Sequence, residues 1–254
     1  MNHRPALTLL AGLLAAVTLW SCASAPSAPV AASAPAQAMT GAAAPVGPSL
    51  QATYDALAAG GGRVFALDPA RSDVRIYVFR GGRAAKVGHN HVLSAPRFTG
   101  FFHQPGSAAA ESRFDLEFRL DELEIDRPEH RAGLGAAFAS VLSPEAIQGT
   151  REHMLGESNL EADKYPFVRI HSLEITGESP RFAARVQVHM HGQSREIWVP
   201  LQVEGLPERL SVAGSFVLRQ TDFGAQPYSV LGGLIAVKDE VVIDFRLVGG
   251  GATK

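Results

Sequence analysis

Two histidine pairs carry the most chemistry for their length in this chain, His89-Asn90-His91 and His189-Met190-His191. On an extended strand, residues i and i+2 share a face, so each pair could offer two imidazoles to one metal ion or haem. Their neighbours set them apart. His189 and His191 fall in step with the polar Arg185 and Gln187, just ahead of a turn at Gly192-Gln193, and read as two solvated surface histidines. His89 and His91 share parity with the apolar Val87 and Leu93, which turns at least one of them inward. A buried imidazole needs a partner. A ligand's polar head, a structural hydrogen bond, and a metal or haem all remain open. Nucleophilic chemistry has less to stand on, because neither a Gly-x-Ser-x-Gly elbow nor a His-Glu-x-x-His helix occurs. Arg219, Asp222 and Lys238-Asp239 read as ion pairs at turns, so no residue is assigned as catalytic and nothing argues for an enzyme.

The only cysteine, Cys22, belongs to a different kind of chemistry. Asn2-His3-Arg4 gives a polar, positive start, Leu7 to Trp20 is almost wholly apolar, and Ser21-Cys22 follows. The apolar run is too short for a hydrocarbon core that needs roughly 20 residues, so it reads as a secretory signal. Leu19, three residues before the cysteine, and the small Ser21 beside it resemble the lipobox of bacterial lipoproteins. That resemblance implies cleavage before Cys22 and a diacylglycerol on its sulfur. It also implies that Ala23, rather than Asp, sends the protein to the periplasmic side of the outer membrane if the organism has two membranes. A lone exported thiol cannot form an internal disulfide, which suits lipidation.

The remainder divides by composition. Residues 1–21 are the signal and 22–62 an Ala-, Pro- and Ser-rich segment expected to be a disordered tether, inside which Gln51–Ala59 could form a brief helical turn ended by Gly60-Gly61-Gly62. Residues 63–249 are one domain, large enough to bury a core unaided, and 250–254 a short tail. A net charge of −2 offers no footprint for nucleic acid. Along the chain the cations form no block that would grip anionic lipid heads.

What must position the histidines is a set of strands. From Arg113 to Leu120 every even position is apolar and every odd one charged. Val74, Ile76 and Val78 alternate, as do Phe182, Ala184, Val186, Val188 and Met190. So do Ile197, Val199, Leu201 and Val203, then Leu210, Val212, Phe216 and Leu218, then Val241, Ile243, Phe245 and Leu247. Further strands are expected over Val87–Leu93, Arg97–His103 and Tyr165–Thr176, the last with a parity slip near His171-Ser172 that suggests a bulge. Eight strands with one apolar face each call for a closed antiparallel barrel, with a two-sheet sandwich as the alternative. One helix is expected over Pro144–Leu155, with Ser143 as its N-cap. The Gly- and Ala-rich stretch Asp126–Ser143 is expected to be loop or short helix, placed to act as a lid over one end.

The order of several segments resembles the YceI-like family of exported, lipocalin-like proteins. They include Ser72-Asp73-Val74-Arg75-Ile76-Tyr77-Val78, Lys86-Val87-Gly88-His89-Asn90-His91-Val92-Leu93, Phe98-Thr99-Gly100-Phe101, Ala162-Asp163-Lys164-Tyr165-Pro166 and Phe216 through Gly224. The resemblance implies a barrel around an apolar cavity that binds a polyisoprenoid or a similar long-chain amphiphile such as an isoprenoid quinone. By parity, the candidate ligand-binding residues are Val74, Ile76, Val78, Phe114, Leu116 and Phe118, together with Val186, Val188, Val199, Leu201, Phe216 and Phe245, joined by His89 and His91 at the polar end. No metal site or resident cofactor is assigned, and the chain leaves a homodimer open. The alternative function is a metal- or haem-binding accessory to a membrane redox process, acting through the His-x-His pairs.

Overall fold

A computed structural model of the chain describes residues 49–251. The signal segment, Cys22, the first part of the tether and the last residues of the tail lie outside the described residues. Twelve antiparallel strands form one sheet. They are β1 (Arg63–Leu67), β2 (Asp73–Gly81), β3 (His91–Ser94), β4 (Thr99–Gln104), β5 (Arg113–Arg119), β6 (Glu124–Ile125), β7 (Phe167–Glu178), β8 (Arg181–Met190), β9 (Gln193–Glu204), β10 (Leu210–Arg219), β11 (Ser229–Val230) and β12 (Ile235–Gly251). The path β1-β4-β5-β7-β8-β9-β10-β12 returns to β1, closing an eight-stranded barrel. The long β12 makes closure possible. It pairs β2 through Ala236–Arg246 and β1 through Gly249–Gly251, so β1 and β2 lie end to end along its flank.

The alternation of the sequence is the alternation of the wall. On β7, Val168 and Ile170 face in with Ser172. The register then shifts between Ser172 and Glu174, and Ile175 takes the inward place. This is the bulge expected from the parity slip. One extra residue, Leu173, is pushed outward to 38% exposure.

Among the described residues, three α-helices accompany the barrel: α1 (Leu50–Gly60), α2 (Pro128–Arg131) and α3 (Pro144–Leu155). Ser143 caps α3 by accepting a hydrogen bond from Ala146 N–H, as its sequence foretells. By contrast, α1 bears out the turn expected over Gln51–Ala59 but packs on the barrel, which corrects the disordered tether for these residues. Ser49 caps it, Tyr54 is fully buried and stacks on Phe101 with ring centroids 5.1 Å apart, and Leu50 and Leu57 pack beside it. The outer wall here is apolar, exposing Val64 and Phe101 unless a helix covers them. The folded unit therefore begins before residue 63.

Two further expectations change. The strand expected from Val87 begins only at His91, because residues 85–87 form a 3₁₀ turn and Gly82, at φ 84°, packs against the Leu234 carbonyl. The Asp126–Ser143 stretch lies on the outside of the barrel, with Phe138 set edge-on against Tyr77 and Phe79. It is no lid. That position belongs to α3, which is pinned by the Arg151 guanidinium donating to the Leu123 (2.7 Å) and Asp121 carbonyls.

Candidate functional site

The barrel encloses a cavity of about 970 Å³. That is at the upper end of the roughly 300–1,000 Å³ typical of small-molecule sites. Its wall is built by the inward stripes. Val74, Ile76 and Val78 come from β2, and Phe114, Leu116 and Phe118 from β5. Val186 and Val188 come from β8, Val199 and Leu201 from β9, and Phe216 and Phe245 from β10 and β12. Gly214 keeps the interior open at one point. A Cβ there would come within 2.5 Å of the Phe245 ring, which lies across it and meets Phe216 edge-on.

The two ends of the cavity differ. At one, β4 and the loops after β4 and β9 contribute Gln104, Ser107, Ser112 and Leu206. The other is roofed by α3 through Gly149, Thr150, His153 and Met154, with Asn159, Gln226 and Tyr228 alongside. There the His153 and Tyr228 rings pack 4.9 Å apart, and the Asn159 amide donates to the Gln226 carbonyl at 2.7 Å.

His91 lines the cavity at this roofed end. Its Nδ1 lies 2.6 Å from Asp126 Oδ2, and Asp126 is fully buried. Behind it sits Arg131, also buried, whose guanidinium contacts Asp126 and donates to the carbonyls of Asn90 (2.9 Å) and Phe138 (2.7 Å). Val92 N–H donates to the other Asp126 oxygen at 3.0 Å. Burial alone would push the Asp126 carboxyl up. His91, Val92 N–H and Arg131 outweigh it and hold the carboxyl below the usual range. Asp126 and Arg131 thus form a charge-balanced pair. In that pair the carboxylate accepts from His91 Nδ1–H, and the ring's other nitrogen, Nε2, is not engaged by it.

His89 is placed elsewhere. It is exposed, off the strand, and its Nδ1 lies 3.2 Å from the Ser140 hydroxyl, so it does not line the cavity. The physical reason is the turn at 85–87, which ends the parity on which its inward placement was argued. His91 reaches the wall and His89 does not, so the two rings do not converge. The second pair also separates. His189 lies 3.0 Å from Ser194 Oγ on the outer face. His191 departs from a solvated surface position. Its side chain is only 13% exposed, tucked against Tyr165, with Nδ1 donating to the Phe223 carbonyl at 2.9 Å. Among the described residues, no group of three His, Cys, Asp or Glu side chains could hold a metal ion, and no helix is long and apolar enough to cross a membrane. Arg219 pairs with Asp239 at 3.0 Å, as a turn-bracing ion pair.

Sequence reasoning missed Asp126, Arg131 and the inner face of α3. Asp126 carried one signal, a polar residue preceding a helix-starting Arg-Pro, but its left-handed backbone (φ 54°) and its inward aim depend on the fold.

A closed antiparallel barrel with one long apolar cavity defines a lipocalin-like binding protein. A YceI-like domain model matches residues 65–249, and the chain belongs to that family, whose barrels bind polyisoprenoid-type ligands. Among solved structures, BcnA of Burkholderia cenocepacia is similar in fold at a TM-score of 0.52. It has 16% identity over 74% of this chain and 99% of that one. A YCEI protein of Campylobacter jejuni gives a TM-score of 0.46 and 11% identity, over 64% of this chain and 85% of that one. No curated protein matches the sequence.

Proposed function

We propose that the protein is an exported, lipid-anchored carrier that holds one long-chain isoprenoid or acyl amphiphile, an isoprenoid quinone among them, inside the barrel. The observation that carries this reading is the cavity of about 970 Å³, walled by the inward aliphatic and aromatic stripes, with the half-buried His91 among the polar groups at its roofed end. Burial of each methylene contributes about 0.8 kcal/mol, so a long chain gains affinity with almost no polar contacts. His91 Nε2 serves the head of the ligand. The diacylated Cys22 places the barrel at the periplasmic side of a membrane, where such chains reside. The reading needs no reaction, and the residues are assigned holding roles only.

Organic extraction of the purified full-length protein, followed by mass spectrometry, tests it. A stoichiometric long-chain amphiphile distinct from the Cys22 acyl groups is expected. Protein that yields none, and takes up none when incubated with geranylgeraniol or a long-chain ubiquinone, would overturn the reading.

A further inference from the structure

Around part of the roofed end, three segments distant in sequence come together. Residues 82–90 meet residues 230–238, where Ala84 N–H donates to the Leu234 carbonyl at 2.8 Å and Gly88 packs near Ile235. They meet residues 132–143 through the His89–Ser140 contact and through the Asn90 amide, which donates to the Ala137 carbonyl at 3.0 Å. None of the three contains a carboxylate up to Lys238. Each presents one large aliphatic side chain to solvent: Val87 is 66% exposed, Val141 96% and Leu231 72%. Arg83, Lys86 and Lys238 are exposed among them. Beyond Lys238 follow Asp239, engaged by Arg219 at 3.0 Å, and the exposed Glu240, 4.0 Å from the same guanidinium.

Single exposed aliphatics need no explanation, but three on segments in mutual contact, which also carry three exposed cations and no acid up to Lys238, do. We infer that this sector docks on an anionic lipid surface, with Val87, Val141 and Leu231 entering the boundary of the acyl region and Arg83, Lys86 and Lys238 meeting the headgroups. Charge complementarity names the occupant. A neutral protein partner gives no use for the cations, and a nucleic acid gives none for the aliphatics. Docking there sets Tyr228, Gln226 and His91, at the roofed end of the cavity, on the bilayer side of the barrel. The inference stands independently of what the cavity holds.

The test uses the full chain with Cys22→Ser and Leu231→Cys, labelled at position 231 with an environment-sensitive nitrobenzoxadiazole dye. A second chain carries the dye at Glu208→Cys, on the loop between β9 and β10 at the opposite end. The readout is local, so attachment of another part of the chain to the vesicle does not produce it. With vesicles of phosphatidylcholine and phosphatidylglycerol, emission at 231 should rise severalfold and shift to the blue, while position 208 stays unchanged. Removing two cations (Arg83→Gln with Lys86→Gln) should weaken the response about thirtyfold in lipid concentration, and raised salt should weaken it likewise. An equal response at both positions, a response indifferent to phosphatidylglycerol, or none at low salt with the chain folded by circular dichroism would overturn the inference. Those outcomes leave cavity binding, read by extraction, untouched.

Discussion

The two ends of this barrel are built from the same strands and differ in almost everything else. At the open-hairpin end, the loops 105–112, 179–180 and 205–209 are short and carry or adjoin mixed charges, including Glu111, Glu178, Arg181, Glu208 and Arg209. At the roofed end the connections after β2, β5 and β10 are long. They contribute a helix to the cavity, bury a carboxylate and a guanidinium behind His91, and expose aliphatic and basic side chains together. Hairpins close a barrel. Under the proposed function, the long connections hold the groups that meet the ligand's head, and selectivity resides at the roofed end.

The largest effect should come from breaking the buried pair there. Arg131→Met leaves the buried Asp126 carboxylate without its guanidinium counter-ion, held only by His91 and Val92 N–H, and urea unfolding should show a loss of about 3–5 kcal/mol. Arg209→Met, exposed at the other end, should stay within about 0.5 kcal/mol. An equal loss at both would erase the contrast. Next is cargo. His91→Phe should weaken a hydroxyl-headed chain such as geranylgeraniol about tenfold, one hydrogen bond to a half-buried group. Gln104→Leu, at the far end, should change it by less than about twofold. Titration of delipidated protein reads both.

A smaller effect tests α1 as a structural brace. The Tyr54 hydroxyl donates to Asp115 at 2.8 Å, and burial together with that carboxylate pushes its pKa up, so it stays protonated. Tyr54→Phe should cost about 1 kcal/mol in stability and leave cargo affinity unchanged. The acid limb separates the ends again. The Asp126 carboxyl is held below its ordinary value, so its contribution is fully present above about pH 4 and is lost as pH falls through its lowered value in the fold. Asp126→Asn should flatten the fall in stability on that limb, as measured by thermal unfolding across pH 2–5. An unchanged slope would mean that Asp126 is not what titrates there.

The wall could be read from the sequence because one apolar face per strand leaves a period-two record. Even the β7 bulge showed, as a slip of parity between Ile170 and Ile175. What escaped is what has no period. The start of β3 was displaced by a turn whose Val87 is apolar yet exposed, and this carried His89 out of the expected site. Helix α1 showed only as a brief turn over Gln51–Ala59, and nothing in its Ala- and Gly-rich surroundings told that Tyr54, with Leu50 and Leu57, packs on the barrel. The segment after Asp126 looked like a lid because small residues say nothing about which surface they cover. The cations of the roofed end are scattered along the chain and become neighbours only when β2, β3 and β12 pair.

A crystal structure of the protein loaded with geranylgeraniol addresses the central claim most directly. The account predicts an isoprenoid chain running through the cavity between the β2 and β8 walls, its hydroxyl within hydrogen-bonding distance of His91 Nε2. A chain bound on the outside, or a cavity filled by collapsed side chains with no room for it, would contradict the account.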